Sequence, residues 1–233
     1  MTTVLLVRHG RTGANARGRL AGWTPGVCLD ERGEEQARVL AERIAKLPVA
    51  AVVSSPLERC VQTANVIAAV YEGLDVVTDE RLAECRYGDW TGKELKALAE
   101  EDLWEVVQQH PSAAVFPGGE ALRDVQFRAV AAVRDWNDRI AAEHGPDALY
   151  VLCTHGDVVK AVVADALGMH LDMFQRITVD PCSLTVIRYT PLRPFLLRLN
   201  DTGGEVDGLL PPPPDQKPAN ASDAVVGGGA GAP

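Results

Sequence analysis

Hydrophobic and polar positions alternate along this chain in two distinct rhythms. Short runs rich in β-branched residues occur at 4–7, 51–54, 76–78, 149–153, 184–189 and 195–199. Each has the length and composition of a strand. Between them lie segments with apolar residues at helical spacing. Residues 34–47 align Ala37, Leu40, Ala41, Ile44 and Leu47, and residues 57–70 align Val61, Ala64, Ile67 and Ala68. Residues 122–140 align Val125, Ala129, Val133 and Trp136 in the same way. These stripes predict helices that bury one face. Strands alternating with helices predict an α/β fold with a largely parallel sheet covered by helices. In such folds ligands bind beyond the carboxyl ends of the strands.

The pattern stops near residue 200. Residues 201–233 hold the run Pro211–Pro214 and a glycine-rich stretch at 227–231, with little that is large enough to bury. The expectation is a catalytic domain over 1–200 and a disordered tail over 201–233, because burial there cannot offset the entropy of ordering. Polyproline could adopt an extended helix for a partner to read, although such segments are more often tolerated appendages.

Charge narrows the partners. The net charge of the chain is -9, and the tail contributes five acids and one lysine to it. A chain this acidic is repelled by nucleic acid and by anionic membranes. No apolar stretch reaches the ~20 residues of a membrane span. The apolar run at 4–7 is cut by Arg8, which leaves no signal-peptide core. The five cysteines are odd in number and form no CxxC pair, which predicts no disulfide framework and no zinc site. A cytoplasmic location follows as an expectation.

The predicted strand ends carry the chemistry. Arg8-His9-Gly10 follows the first strand, and Thr154-His155-Gly156-Asp157 follows the fourth. Glycine at these turns lets the backbone approach a ligand closely. Ser54-Ser55-Pro56-Leu57-Glu58-Arg59 follows the second strand. There, Ser55 with Glu58 three residues later reads as a capping box with Pro56 at the first helical position. Arg59 would then stand in the opening turn. Arg8, Arg59, His9 and His155 would share one rim, a phosphate-sized positive cluster in an acidic domain. His110, His144 and His170 have no such setting and are assigned no role.

These residues resemble the histidine phosphatase superfamily, in its phosphoglycerate-mutase-like branch. The resemblance rests on Val4–Thr12 with Asn15 and Gly22-Trp23, on 29–37, on 54–64, on Leu82-Ala83-Glu84-Cys85-Arg86-Tyr87-Gly88-Asp89-Trp90-Thr91-Gly92, and on Thr154-His155-Gly156. It spans roughly residues 4–190 and implies a three-layer α/β/α fold with a mostly parallel central sheet. It implies that His9 is the nucleophile and forms a phosphohistidine. Arg8, Arg59 and a cationic His155 would keep His9 neutral and hold the phosphoryl oxygens. Glu84 matches the proton donor to the leaving oxygen. Asn15 matches a phosphate ligand, and Gly10, Thr12, Gly22, Tyr87 and Gly156 complete the expected substrate-binding set. No cofactor or metal is implied. A homodimer is an expectation by analogy.

The resemblance leaves phosphatase, mutase and non-catalytic phospholigand binder open. Lys93-Glu94-Leu95-Lys96 and the acidic stretch 100–105 replace the paired arginines expected of a mutase that grips a carboxylate. The expectation is therefore a phosphomonoester hydrolase acting on a small phosphorylated metabolite, with 110–120 shaping the leaving-group pocket.

Overall fold

In the computed structural model, residues 1–204 and Gly227 are described. Six strands form one sheet: β1 Thr2–Arg8, β2 Val49–Ser54, β3 Val76–Thr78, β4 Ala148–Thr154, β5 Leu184–Tyr189 and β6 Pro194–Asp201. Their spatial order is β3-β2-β4-β1-β5-β6. The first four in that order run parallel, and β5 and β6 add to the β1 edge in antiparallel fashion. The helices are α1 Gly13–Ala16, α2 Glu31–Ile44, α3 Glu58–Ala68, α4 Leu95–Leu98, α5 Asp102–Gln109, α6 Leu122–His144 and α7 Gly156–Ala166.

Two cores sandwich the sheet and make three layers. On one face Val4, Leu6, Tyr150 and Leu152 pack with Val125, Val133, Val159 and Val163 of α6 and α7. On the other, Leu5, Val7, Val151 and Cys153 pack with Leu40, Ile44, Ala64 and Ile67 of α2 and α3. Burial on both faces explains why β1 and β4 read as near-continuous apolar runs. No helix among the described residues is long and apolar enough to cross a membrane.

Element ends follow their caps. Helix α2 begins at Glu31, three residues before the expected start at 34, because Asp30 accepts from Gly33 N and caps it. Helix α6 runs past the expected end at 140 to His144, where Gly145 at φ +85° stops it. Strand β6 extends through Asp201, whose carboxylate pairs with Arg43 Nη2 at 2.8 Å. The folded part thus runs slightly into the segment expected to be tail. Apart from Gly227, the tail beyond Gly204 lies outside the described residues.

Candidate active site

Register brings the two histidines together. Strands β1 and β4 pair from Thr2↔Ala148 to Arg8↔Thr154. His9 and His155 follow the last pair, and His9 N donates to Thr154 O at 2.9 Å. Their ring centroids stand 5.3 Å apart. Gly10 turns the chain directly after His9. A Cβ at this position would lie 2.5 Å from Gly33 O, so only glycine lets the turn seat against α2. Gly10 N donates to Thr63 Oγ1 at 3.0 Å, which fastens the turn to α3 as well.

Arg59 links the two imidazoles. Its Nε donates to His9 Nε2 at 3.2 Å, and its Nη2 lies 3.2 Å from His155 Nδ1 and donates to Gly22 O at 2.9 Å. Its buried Nη1 has no hydrogen-bond partner among the described residues. A buried donor of this kind demands an acceptor, and an oxyanion in the adjoining recess would supply one. Arg8 is buried beside it, with Nη1 donating to Val179 O at 2.8 Å.

Burial and charge set the protonation states. His9 Nδ1 lies 2.8 Å from Gly10 O, an acceptor, so Nδ1 carries the hydrogen and the Nε2 lone pair faces Arg59. Burial, then Arg59 and Arg8, push the imidazole well below its usual range. His155 departs from the expected cation. Burial, then Arg59, also drive it well below the usual range, so both imidazoles are neutral when the site is empty. The positive charge rests on the two arginines. Glu84 Oε2 lies 3.7 Å from His155 Nδ1. Burial, then the charge of Asp157, raise this carboxyl to about 7.

The recess in front of these groups is lined by His9, Arg59, Glu84 and Tyr87, with Thr12, Asn15 and the segment 18–22 on the other side. Of the site residues inferred from sequence, His9, Thr12, Asn15, Gly22, Arg59, Glu84 and Tyr87 line this recess, whereas Arg8, His155, Gly10 and Gly156 are not in its lining, and three further readings change. Asn15 Oδ1 is occupied by Thr12 N and Thr12 Oγ1, at 3.1 and 2.8 Å, so Asn15 also builds the cap of α1. Ser55 is not the cap of α3, which starts at Glu58 with no side-chain cap. Its hydroxyl instead lies 2.8 Å from His155 Nε2, while Glu58 Oε1 accepts from Gly26 N at 3.0 Å. Residues 100–120 contribute nothing to the lining. They act one layer back, with Phe116 packed edge-on against Tyr87 at 5.0 Å. Gly156 flanks Arg8 Nε at the start of α7.

Sequence reasoning missed Asp157 and Lys160. Asp157 is buried and accepts from Tyr87 Oη at 2.8 Å, and Lys160 Nζ lies 3.7 Å from its other oxygen. Asp157 directly follows the Thr154-His155-Gly156 motif, and that adjacency was its only signal. Gly227 enters the recess too. Its N donates to Asp157 Oδ2 at 3.2 Å, and its carbonyl accepts from Arg8 Nη2 at 3.5 Å. This residue belongs to the segment expected to stand apart from the domain.

The loop bearing Glu84 is packed backbone to backbone. Gly88 has φ +54°, and a Cβ there would sit 2.0 Å from Pro117 O. Gly88→Ala is expected to cost about 2 kcal/mol or more, from overpacking and left-handed strain together. Denaturant unfolding monitored by tryptophan fluorescence would measure it. An unchanged midpoint would contradict the contact.

The model of the histidine phosphatase superfamily, branch 1, matches residues 4–202. The chain belongs to the histidine phosphatase superfamily. Phosphoserine phosphatase 1 of Hydrogenobacter thermophilus is 31% identical over 205 residues, covering 87% of this chain and 93% of that protein. A probable phosphoglycerate mutase GpmB of Cronobacter sakazakii is 31% identical over 221 residues, covering 93% and 99%. Among solved structures, mycobacterial glucosyl-3-phosphoglycerate phosphatase in complex with VO3 superposes with a TM-score of 0.75 at 28% identity, covering 85% of this chain and 98% of that one. The superfamily and its fold agree with the expectation from sequence. The relatives include both phosphatases and mutases.

Proposed function

We propose that this protein is a metal-independent phosphomonoester hydrolase that works through a phosphohistidine on His9. The observation that carries the reading is the pairing of an oriented imidazole, His9, with a buried carboxyl, Glu84, in the lining of one recess. His9 presents the Nε2 lone pair, while Glu84 opposite is raised to about 7 and so holds a proton near neutrality. The first is what in-line attack on phosphorus requires, and the second is what a departing alkoxide requires.

The steps follow from the geometry. A phosphomonoester dianion enters against Arg8 and Arg59, whose charges match its oxygens. Arg59 Nη1 gains the acceptor it lacks. His9 Nε2 attacks phosphorus and the P–O bond to the alcohol breaks, while Glu84 gives its proton to the leaving oxygen. Water then attacks phosphorus, the P–N bond breaks with its electron pair returning to His9 Nε2, and the carboxylate of Glu84 takes a proton from the water. Phosphate leaves, and His9 and Glu84 return to their starting states. Neutral His155, held by Ser55, lies beside the phosphoryl site as a hydrogen-bonding group.

Hydrolysis is favoured over mutase transfer by the charges at the mouth. A mutase for phosphoglycerates must grip a carboxylate. Here Lys93 pairs with Glu101 at 3.1 Å and Arg19 with Glu94 at 3.0 Å, so these two cations already have acidic partners. A panel of phosphomonoesters, read by release of inorganic phosphate, tests the reading. Release from one or more is the expected result. Isomerisation of 3-phosphoglycerate without phosphate release would replace hydrolase by mutase. Stoichiometric binding without turnover would make the protein a binder.

A further inference from the structure

Glu84 lies in a stretch, 83–87, that belongs to neither helix nor strand. Carbonyls in such a stretch have no ladder to satisfy them and need partners from elsewhere. One side chain serves two of them, together with a third carbonyl just before the stretch. Arg128 of α6 donates from Nη1 to Arg81 O and to Ala83 O, each at 2.7 Å, and from Nη2 to Glu84 O at 3.1 Å. Its remaining edge faces Glu120, with Nη2 at 2.7 Å from Oε1 and Nε at 3.1 Å from Oε2. A guanidinium has five N–H groups in a fixed plane, and here each has an acceptor.

Glu120 completes the brace. Its Oε1 accepts from Arg86 N at 2.8 Å, and its own N donates to Arg86 O at 2.9 Å. The backbone is therefore held on both sides of Glu84, from Arg81 to Arg86. From the side of the recess, Trp23 Nε1 also donates to Glu84 O at 2.7 Å. Arg128 and Glu120 are themselves absent from the recess lining. They touch no reacting atom: Arg128 acts by contact on the backbone of Glu84, and on His155 only through its charge, which Arg128→Lys retains.

We propose that Arg128, locked to Glu120, is a positioning residue for proton transfer. It holds the Glu84 backbone so that the carboxyl stays buried opposite His155, within reach of the leaving oxygen. The proposal rests on Glu84 being the general acid. Lysine cannot replace Arg128, because one ammonium cannot reach three carbonyls and a carboxylate together.

The full-length protein carries the test. Wild type, Arg128→Met, Arg128→Lys, Glu120→Gln and Glu84→Gln are compared by kcat/KM on two substrates. One is an alkyl phosphomonoester, which needs a proton on its leaving oxygen. The other is p-nitrophenyl phosphate, whose phenolate leaves without one. For Arg128→Met and Arg128→Lys, kcat/KM on the alkyl ester is expected to fall about 10- to 100-fold, a part of the roughly 10²- to 10⁴-fold that general acid–base catalysis supplies. The fall on p-nitrophenyl phosphate should stay within about 3-fold, because that step bypasses the acid. Inhibition by inorganic phosphate should be unchanged. In a Glu84→Gln background, Arg128→Met should add nothing on the alkyl ester.

Equal losses on both substrates, or losses additive with Glu84→Gln, would make Arg128 merely structural and overturn the proposal. Glu120→Gln keeps the backbone bond to Arg86 and should show a smaller loss with the same substrate split. If Arg128→Met does not fold, no split in a folded Glu120→Gln variant overturns the proposal. A split in Glu84→Gln with none in the Arg128 variants refutes the positioning role alone. No split in Glu84→Gln refutes the acid assignment and this proposal with it.

Discussion

His9→Ala is expected to end phosphate release from every phosphomonoester that the wild type hydrolyses, with a loss of about 10⁴-fold or more in kcat. The imidazole has no substitute in the recess. The lining carries two hydroxyls, of which Thr12 Oγ1 is committed to Asn15 and Tyr87 Oη donates to Asp157. The cysteine nearest the centre, Cys60, packs against the ring of His155, with Sγ 3.4 Å from Nε2. Phosphate binding should survive, because Arg8 and Arg59 are untouched. Rapid quench with a labelled substrate should trap an acid-labile phosphoryl group on the wild type and none on the variant. Activity close to wild type in His9→Ala would remove His9 from the chemistry and end the hydrolase mechanism given above.

The second large effect belongs to Glu84→Gln. On an alkyl phosphomonoester, kcat/KM should fall about 10²- to 10³-fold, while phosphate still binds. The pH profile carries the sharper signature. The carboxyl is raised to about 7, so the acid is present below that pH and lost as pH rises through it. Wild-type kcat/KM should therefore decline on the alkaline side of neutrality. His9 is held well below the usual imidazole range, so it remains neutral at pH 6 and takes no part in that decline. The glutamine variant should be slow and lack the alkaline limb. A limb of the same position and depth in Glu84→Gln would assign the titration to another group.

The sequence made the layered fold legible wherever one face of an element is polar. Helix α2 shows its stripe because the face away from Leu40 and Ile44 meets water. Helix α7 had no such stripe. Val158, Val159, Ala161, Val162, Val163 and Ala164 are all buried, so an apolar run without periodicity was left with no helical signature. The four cationic and imidazole groups were legible because Arg8 ends β1, His9 and His155 directly follow β1 and β4, and Arg59 stands in the opening turn of the helix after β2, so all four lie at one edge of the sheet. Glu84 follows no strand of that kind, and only its surrounding motif singled it out. Arg128 gave no local signal at all. It looks like one more charge on the outer face of α6, and its partners Arg81, Ala83 and Glu84 lie more than forty residues earlier in the chain. Ser55 shows a different failure. Serine followed by glutamate at the third position fits a capping box, but the hydroxyl is engaged by the imidazole of His155, just past β4 and one hundred residues away.

The seven-pair register between β1 and β4 has a consequence for which length changes the protein can tolerate. Side chains alternate between faces along a strand, so a slip by one residue exchanges the faces. An inserted or deleted residue within 2–8 or 148–154 would either break the ladder or misplace one imidazole against the other, and it would also turn Leu5 and Val7 toward the wrong layer. The turn 145–147, at the far end of β4, lies away from the rim and touches the ladder only where Asp147 N donates to Met1 O at 2.7 Å. Gly145 lies in open space there. Length variation should therefore be permitted at that end of the sheet and forbidden in the two central strands, and a scan of single-residue insertions would map the boundary residue by residue.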